Sequence, residues 1–135
     1  LNIRLYGGLN EGSEAGKEDV KNMAAFIGYK CESFSIGAEY NYMQNASNKD
    51  NDDMSGYSVF ASTKLSKSTE VYARFDDLYS KNDWNKAKDE QAAILGAQLK
   101  LGKYVKIAPN FRMTIPAADG ASNRYYAYLS CCFGI

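Results

Sequence analysis

Histidine is absent from this 135-residue chain, proline occurs only 2 times, and no apolar run approaches the length of a membrane helix. Each gap excludes something. Without histidine there is no Ser-His-Asp triad and no His-based zinc hydrolase. The cysteines are Cys31, Cys131 and Cys132, an odd set with no CxxC pair. Cys131 and Cys132 are adjacent, so on a strand they point to opposite faces. That gives neither a disulfide framework nor a zinc site, and the three read as small apolar residues. Formal net charge is +0, so there is no global electrostatic case for nucleic acid. Gly16-Lys17 invites a phosphate-loop reading but fails it, because Glu11 stands where the first glycine belongs and Glu18 where Ser or Thr belongs. Asp50 to Asp53 opens like a calcium loop, yet Ser55 occupies the glycine position and the distal Glu is missing. The expectation is a protein that is not an enzyme and takes no metal and no cofactor. The missing apolar run excludes a transmembrane helix only. A transmembrane barrel hides its hydrophobicity in alternate positions, and a window average of hydropathy removes it.

What the chain does have is alternation. From Ala93 to Met113 the odd positions read Ala93, Leu95, Ala97, Leu99, Leu101, Val105, Ile107, Pro109, Phe111 and Met113. The even ones include Gln98, Lys100, Lys106, Asn110 and Arg112. Successive strand side chains point to opposite faces, so this is a hairpin around Gly102-Lys103 with one apolar and one polar face. Each arm is long enough to cross a bilayer when tilted. The same pattern recurs over 1–10, 23–31, 34–42, 57–65, 70–76 and 124–135. Leu1 opens directly in such a strand, so either a leader was removed or the chain starts within a longer protein. About eight strands result, joined alternately by long polar loops (11–19, 44–53, 79–90, 115–123) and short turns (32–33, 66–68, 102–103). Antiparallel neighbours joined in this way make an up-and-down sheet. Residues 1–135 therefore form one all-β domain, an antiparallel up-and-down barrel or the C-terminal segment of a larger one. Short turns on one side and long loops on the other are the habit of outer-membrane barrels. Both chain ends are expected on the short-turn side.

Alternation does not say which face is inside. The placement of aromatics on the apolar face bears on that. Toward the long loops it carries Tyr40, Tyr42, Tyr57, Phe75, Phe111 and Tyr125, and toward the short turns Tyr29, Phe34 and Phe133. Ile36, Ala38, Val59, Ala61, Ala73, Leu95, Ala97, Ile107, Ala127 and Leu129 lie between. Rings at two heights flanking an aliphatic band are what a bilayer selects, since amphipathic rings settle among headgroups. A soluble lipocalin-like ligand-binding barrel would have no reason to sort residues by height.

Tyr57 to Leu65, Glu70 to Asp76, Ile94 to Leu99 and Val105 to Arg112 together resemble the last third of Gram-negative porins, nearest to the group that includes phosphate-selective porins. The resemblance covers about residues 20–135 and is carried best by the Ala-Arg-aromatic-Asp strand and the Ala-Pro-Asn-aromatic-Arg strand. It implies a location in the outer membrane of a Gram-negative bacterium, outer-membrane lipid as a partner, passage of small hydrophilic or anionic solutes, and a homotrimer among the assemblies to test. The chain departs from the pattern at its end, where Gly134-Ile135 follow Phe133. Pro109 lacks a ladder donor, which predicts a local bulge or kink.

If the apolar face meets lipid, the polar face lines a lumen. Its cations are Arg4, Lys30, Lys64, Arg74, Lys100, Lys106, Arg112 and Arg124, and its acids Glu39, Glu70 and Asp76. An eight-stranded barrel is just wide enough to be filled by side chains, and unbalanced cations packed there would be costly. A wider, wet lumen would screen them and attract anions. Against that, Lys30, Lys64, Lys100 and Arg124 stand near strand ends, where they are solvated at a rim, and Arg74 with Asp76 reads equally as a structural pair. A diffusion channel, a small closed barrel with a structural or adhesive role, and a soluble ligand-binding barrel all remain open at this point.

Overall fold

The structure is a computed structural model that describes residues 1–12, 14 and 16–134. Eight strands follow one another: β1 (Asn2–Asn10), β2 (Val20–Lys30), β3 (Phe34–Gln44), β4 (Met54–Lys64), β5 (Thr69–Ser80), β6 (Glu90–Leu101), β7 (Val105–Pro116) and β8 (Arg124–Phe133). They form one sheet in sequence order, every neighbour antiparallel. Each connection is a hairpin, so local pairing alone dictates this topology. Two short 3₁₀ turns, Lys81–Asp83 and Lys86–Lys88, sit in the third long loop.

The sheet is open. β1 pairs only with β2 and β8 only with β7, so the described residues do not close into a barrel. Alternation fixes which residues share a face. It fixes neither curvature nor the number of strands needed to close a ring.

The strands run further toward the long loops than alternation suggested. β2 begins at Val20, β5 continues to Ser80, β6 begins at Glu90 and β7 ends at Pro116. In these extensions polar residues such as Asp77 and Gln91 occupy the otherwise apolar face, so the period-two signal vanishes while backbone pairing continues. The expected bulge at Pro109 is absent. Gly96 pairs with Asn110 and Leu99 with Ile107, so the offset is the same on both sides of the proline. Proline interrupts the ladder to β6 there, while Pro109 still pairs with Leu129 of β8. Losing a donor breaks bonds locally and need not insert a residue.

The register places the apolar residues on one face. Tyr40 opposes Tyr57, Val59 opposes Phe75, and Ala73 opposes Leu95, which opposes Phe111. Along β2 and β4 the apolar face is the more exposed and the polar face the more sheltered. A flat sheet shelters neither side, so this one curls toward its polar face. Phe26 and Phe60 stand two strands apart, yet their rings stack at 6.1 Å over Gly37, where a Cβ would meet the Phe60 ring at 2.5 Å. Tyr72 covers Gly96 of the next strand in the same way. Rings laid over glycines let neighbouring strands bend inward. No enclosed core forms among the described residues, where Val20 is the only buried hydrophobic. Leu95 and Leu129 are 65% and 66% exposed on the outer side of the curl. Ile135, expected on the same face, lies outside the described residues.

Candidate functional site

The polar face is the inner side of the curl and carries most of the chain's uncommitted chemistry. Its middle is a web of hydrogen-bonded groups in which only Arg74 and Asp76 form a charge-neutral pair. The Arg74 guanidinium donates to both Asp76 carboxylate oxygens at 2.8 and 2.9 Å and to Ser58 Oγ at 3.2 Å. Ser58 also donates to Asp76. Arg112 donates to Asn110 Oδ1 at 3.0 Å and lies 4.7 Å over the Tyr128 ring, which stacks on Tyr126. Arg4 donates to Asn2 Oδ1 at 3.2 Å and lies 5.7 Å over Phe26. Glu39 accepts from Asn41 at 2.8 Å, and Glu70 accepts from Ser62 at 2.6 Å. Arg124 is paired with Glu90 near the long loops. So the arginines of this face are held by carboxylates, amides or rings, and the structural reading of Arg74 with Asp76 is the geometry observed.

The lysines differ. Lys30, Lys64, Lys100 and Lys106 all lie at the short-turn ends of their strands, and none is in an ion pair among the described residues. Lys100 and Lys106 are direct register partners on this face. Like charges placed opposite one another are unfavourable unless something anionic shares the space.

At the opposite end the long loops are tied to one another. Asp53, 5% exposed, accepts the Tyr42 hydroxyl at 2.6 Å and the Asn45 N–H at 3.1 Å, with Lys81 Nζ at 3.7 Å. Its carbonyl accepts from Trp84 Nε1 at 2.8 Å and the Lys81 N–H at 2.9 Å. The Tyr42 hydroxyl foremost, then the Asn45 N–H and Lys81, hold the Asp53 carboxyl below its ordinary pKa against the opposing effect of burial. Asp89, 4% exposed, accepts the Ser80 N–H at 2.9 Å and its hydroxyl at 2.5 Å, while its carbonyl takes the Ala117 N–H at 2.8 Å. Asp19 accepts the Gly12 N–H at 3.0 Å, and its carbonyl takes Asn45 Nδ2 at 3.1 Å. Each of these aspartates stands immediately before a returning strand. Each closes its own loop with its carboxylate and reaches the next loop with its carbonyl.

No family model, curated protein or solved structure matches the chain.

On the outer face the aromatic residues share a height. Tyr40, Tyr42, Tyr57, Phe75, Phe111 and Tyr125 all stand six to eight residues from the short-turn end of their strands. Tyr29, Phe34 and Phe133 lie at or next to that end. The rings touch sideways: Tyr57 with Phe75 and Phe111 with Tyr125 at 6.1 Å, and Tyr29 with Phe34 at 5.7 Å. The aspartate ties were missed from the sequence, although Asp19, Asp53 and Asp89 recur 34 and 36 residues apart, a spacing that a search for hairpin-length repeats would have found.

Proposed function

We propose that this chain is part of the wall of a porin-like β-barrel in the outer membrane of a Gram-negative bacterium, through which small hydrophilic solutes diffuse. The observation that carries the reading is the aromatic belt at constant strand height on the outer side of the curl. Six to eight residues at about 3.3 Å each, tilted by about 40°, rise about 15–20 Å. An aliphatic band fills that interval, as lipid tails require. The open edges of β1 and β8 and the curl toward the polar face favour a ring with more strands than these eight. In that ring the polar face lines a wet lumen, the short turns face the periplasm and the long loops face outward. Lysines at the short-turn mouth, in no ion pair among the described residues, give it a preference for anions, phosphate among them. Outer-membrane lipid is the partner of the outer face, and a homotrimer is the assembly to test first.

The test is conductance. The full-length protein, refolded in detergent and added to a planar bilayer, should produce stepwise currents. Protein that stays folded and monodisperse without detergent would overturn the membrane reading. Protein that inserts but never conducts would favour a closed structural or adhesive barrel.

A further inference from the structure

We propose that a pocket at the long-loop end of the polar face binds a neutral polyhydroxylated ring, a sugar of one or two units. The inference rests on reading that face as a wetted passage, and it names a solute class that the lysine mouth does not select. The cavity is about 410 Å³, within the range of small-molecule sites. It opens because Ala24 and Gly56, both register partners of Asn41, leave a shallow floor. Around it stand Tyr6, Asn22, Met43 and Leu78.

Its chemistry is that of a sugar ring, which has C–H faces and hydroxyl edges. Met43, Leu78 and the exposed Tyr6 ring offer apolar surface to the faces. Asn22 and Asn41 offer amides to the edges. The Asn22 Oδ1 packs over Gly8 and is buried with no hydrogen-bond partner among the described residues. An unmet buried acceptor is unfavourable, and a turn of the amide toward the cavity would let a ligand hydroxyl satisfy it. No lysine or arginine lines the pocket, so nothing there neutralises an anion. Of the two aspartates in its lining, Asp76 is already held by Arg74 and Ser58 and Asp77 belongs to the outer face, so nothing there demands a cation.

The experiment uses the full-length protein refolded in a zwitterionic, sugar-free detergent. Saturation transfer from protein to ligand is read by NMR, with maltose as the probe and sodium phosphate as competitor. Saturation should reach the sugar C–H protons and survive equimolar phosphate. Tyr6→Ala should weaken binding about tenfold. Ala24→Leu, which fills the cavity without removing a polar group, should abolish the signal while far-UV circular dichroism stays that of a sheet. Lys100→Gln, at the opposite end, should leave it unchanged. No transfer to maltose in folded protein, transfer indifferent to both pocket variants, or displacement by phosphate would each overturn the proposal. Sugar binding without conductance would sink the passage reading alone. Conductance without sugar binding would sink the pocket alone.

Discussion

The two ends of this sheet solve opposite problems. Its short turns close themselves: Gly102 takes φ +79°, a left-handed conformation suited to glycine, and no carboxylate is needed to hold the hairpin. The long loops have more freedom to lose, and aspartates tie them at their bases and to one another. The sign of charge follows. The aspartates at the loop bases are spent as hydrogen-bond acceptors, whereas the turn-end lysines form no ion pair among the described residues. A formal net charge of +0 therefore conceals a separation along the strands. Where a charge is committed it stabilises the fold, and where it is left free it is available to a solute.

On the proposed reading a lipid-spanning interval separates the two ends, and that interval gives the largest expected effect. Ala97 lies on the outer face opposite Val71, and Gln98 lies on the inner face opposite Glu70. Ala97→Arg should destabilise by about 2–4 kcal/mol in lipid vesicles, whereas Gln98→Arg should cost far less. Equal costs in denaturant titrations of refolded protein would erase the distinction between faces and, with it, the membrane between the ends.

Next in size is the contrast in stability between the ends themselves. Asp89→Ala strands the buried Ser80 N–H and hydroxyl and should cost about 2–3 kcal/mol. Lys100→Gln removes one of two facing ammonium groups and should be neutral or stabilising by about 0.2–0.5 kcal/mol. The opposite signs are the point. A loss of stability on removing Lys100 would mean that its charge is structural.

Acid should loosen the loop that Asp53 ties. The folded pKa of Asp53 lies below its ordinary value, chiefly because of the Tyr42 hydroxyl. A depressed carboxyl stabilises the folded state above the ordinary carboxylate range and loses that contribution as pH falls through the folded pKa. Hydrogen exchange at the Asn45 amide, corrected for intrinsic rate, should accelerate below about pH 4. Asp53→Asn should make that exchange nearly independent of pH. Acceleration that persists in the variant would assign the sensitivity to another group.

The two ends also differ in how legible they were. The hairpins, their order and the face of each residue between the aromatic belts follow from alternation, because pairing there obeys one rule: lipid-like surface on one side, polar on the other. Beyond Tyr57 and Phe75 that rule lapses. Asp77 and Gln91 occupy the outer face, so the last turns of β5 and the start of β6 looked like loop although the backbone stays paired. The aspartate ties were hidden for a different reason. Each depends on contacts between loops that only the register brings together, as when Asp53 meets Trp84 and Lys81. On the inner face the sequence lists charges but not their partners. It could not separate Arg74, held by Asp76, from Lys100, which is in no ion pair among the described residues.

That separation leads to the smallest and most diagnostic effect, on ion selectivity. Fixed charges in an aqueous path raise the local concentration of counter-ions, but only if nothing nearby cancels them. Arg74 forms a charge-neutral pair with Asp76, whereas Arg112 is held by Asn110 and Tyr128 and keeps its charge. Lys30, Lys64, Lys100 and Lys106, at the short-turn end, are in no ion pair among the described residues, and of the four Lys64 alone has an acid, Glu70, as a register partner. Replacing these lysines together with Gln should move the reversal potential in a salt gradient toward cation permeation. Replacing Arg74 together with Asp76 by neutral residues should hardly move it, since the pair has no net charge to remove. Screening limits the reach of the lysines to about 10 Å at 0.1 M salt, so their effect should fade as salt rises. A shift produced by the arginine pair and not by the lysines would place selectivity in the middle of the wall. A shift from neither, in protein that still conducts, would mean that the free lysines meet only solvent.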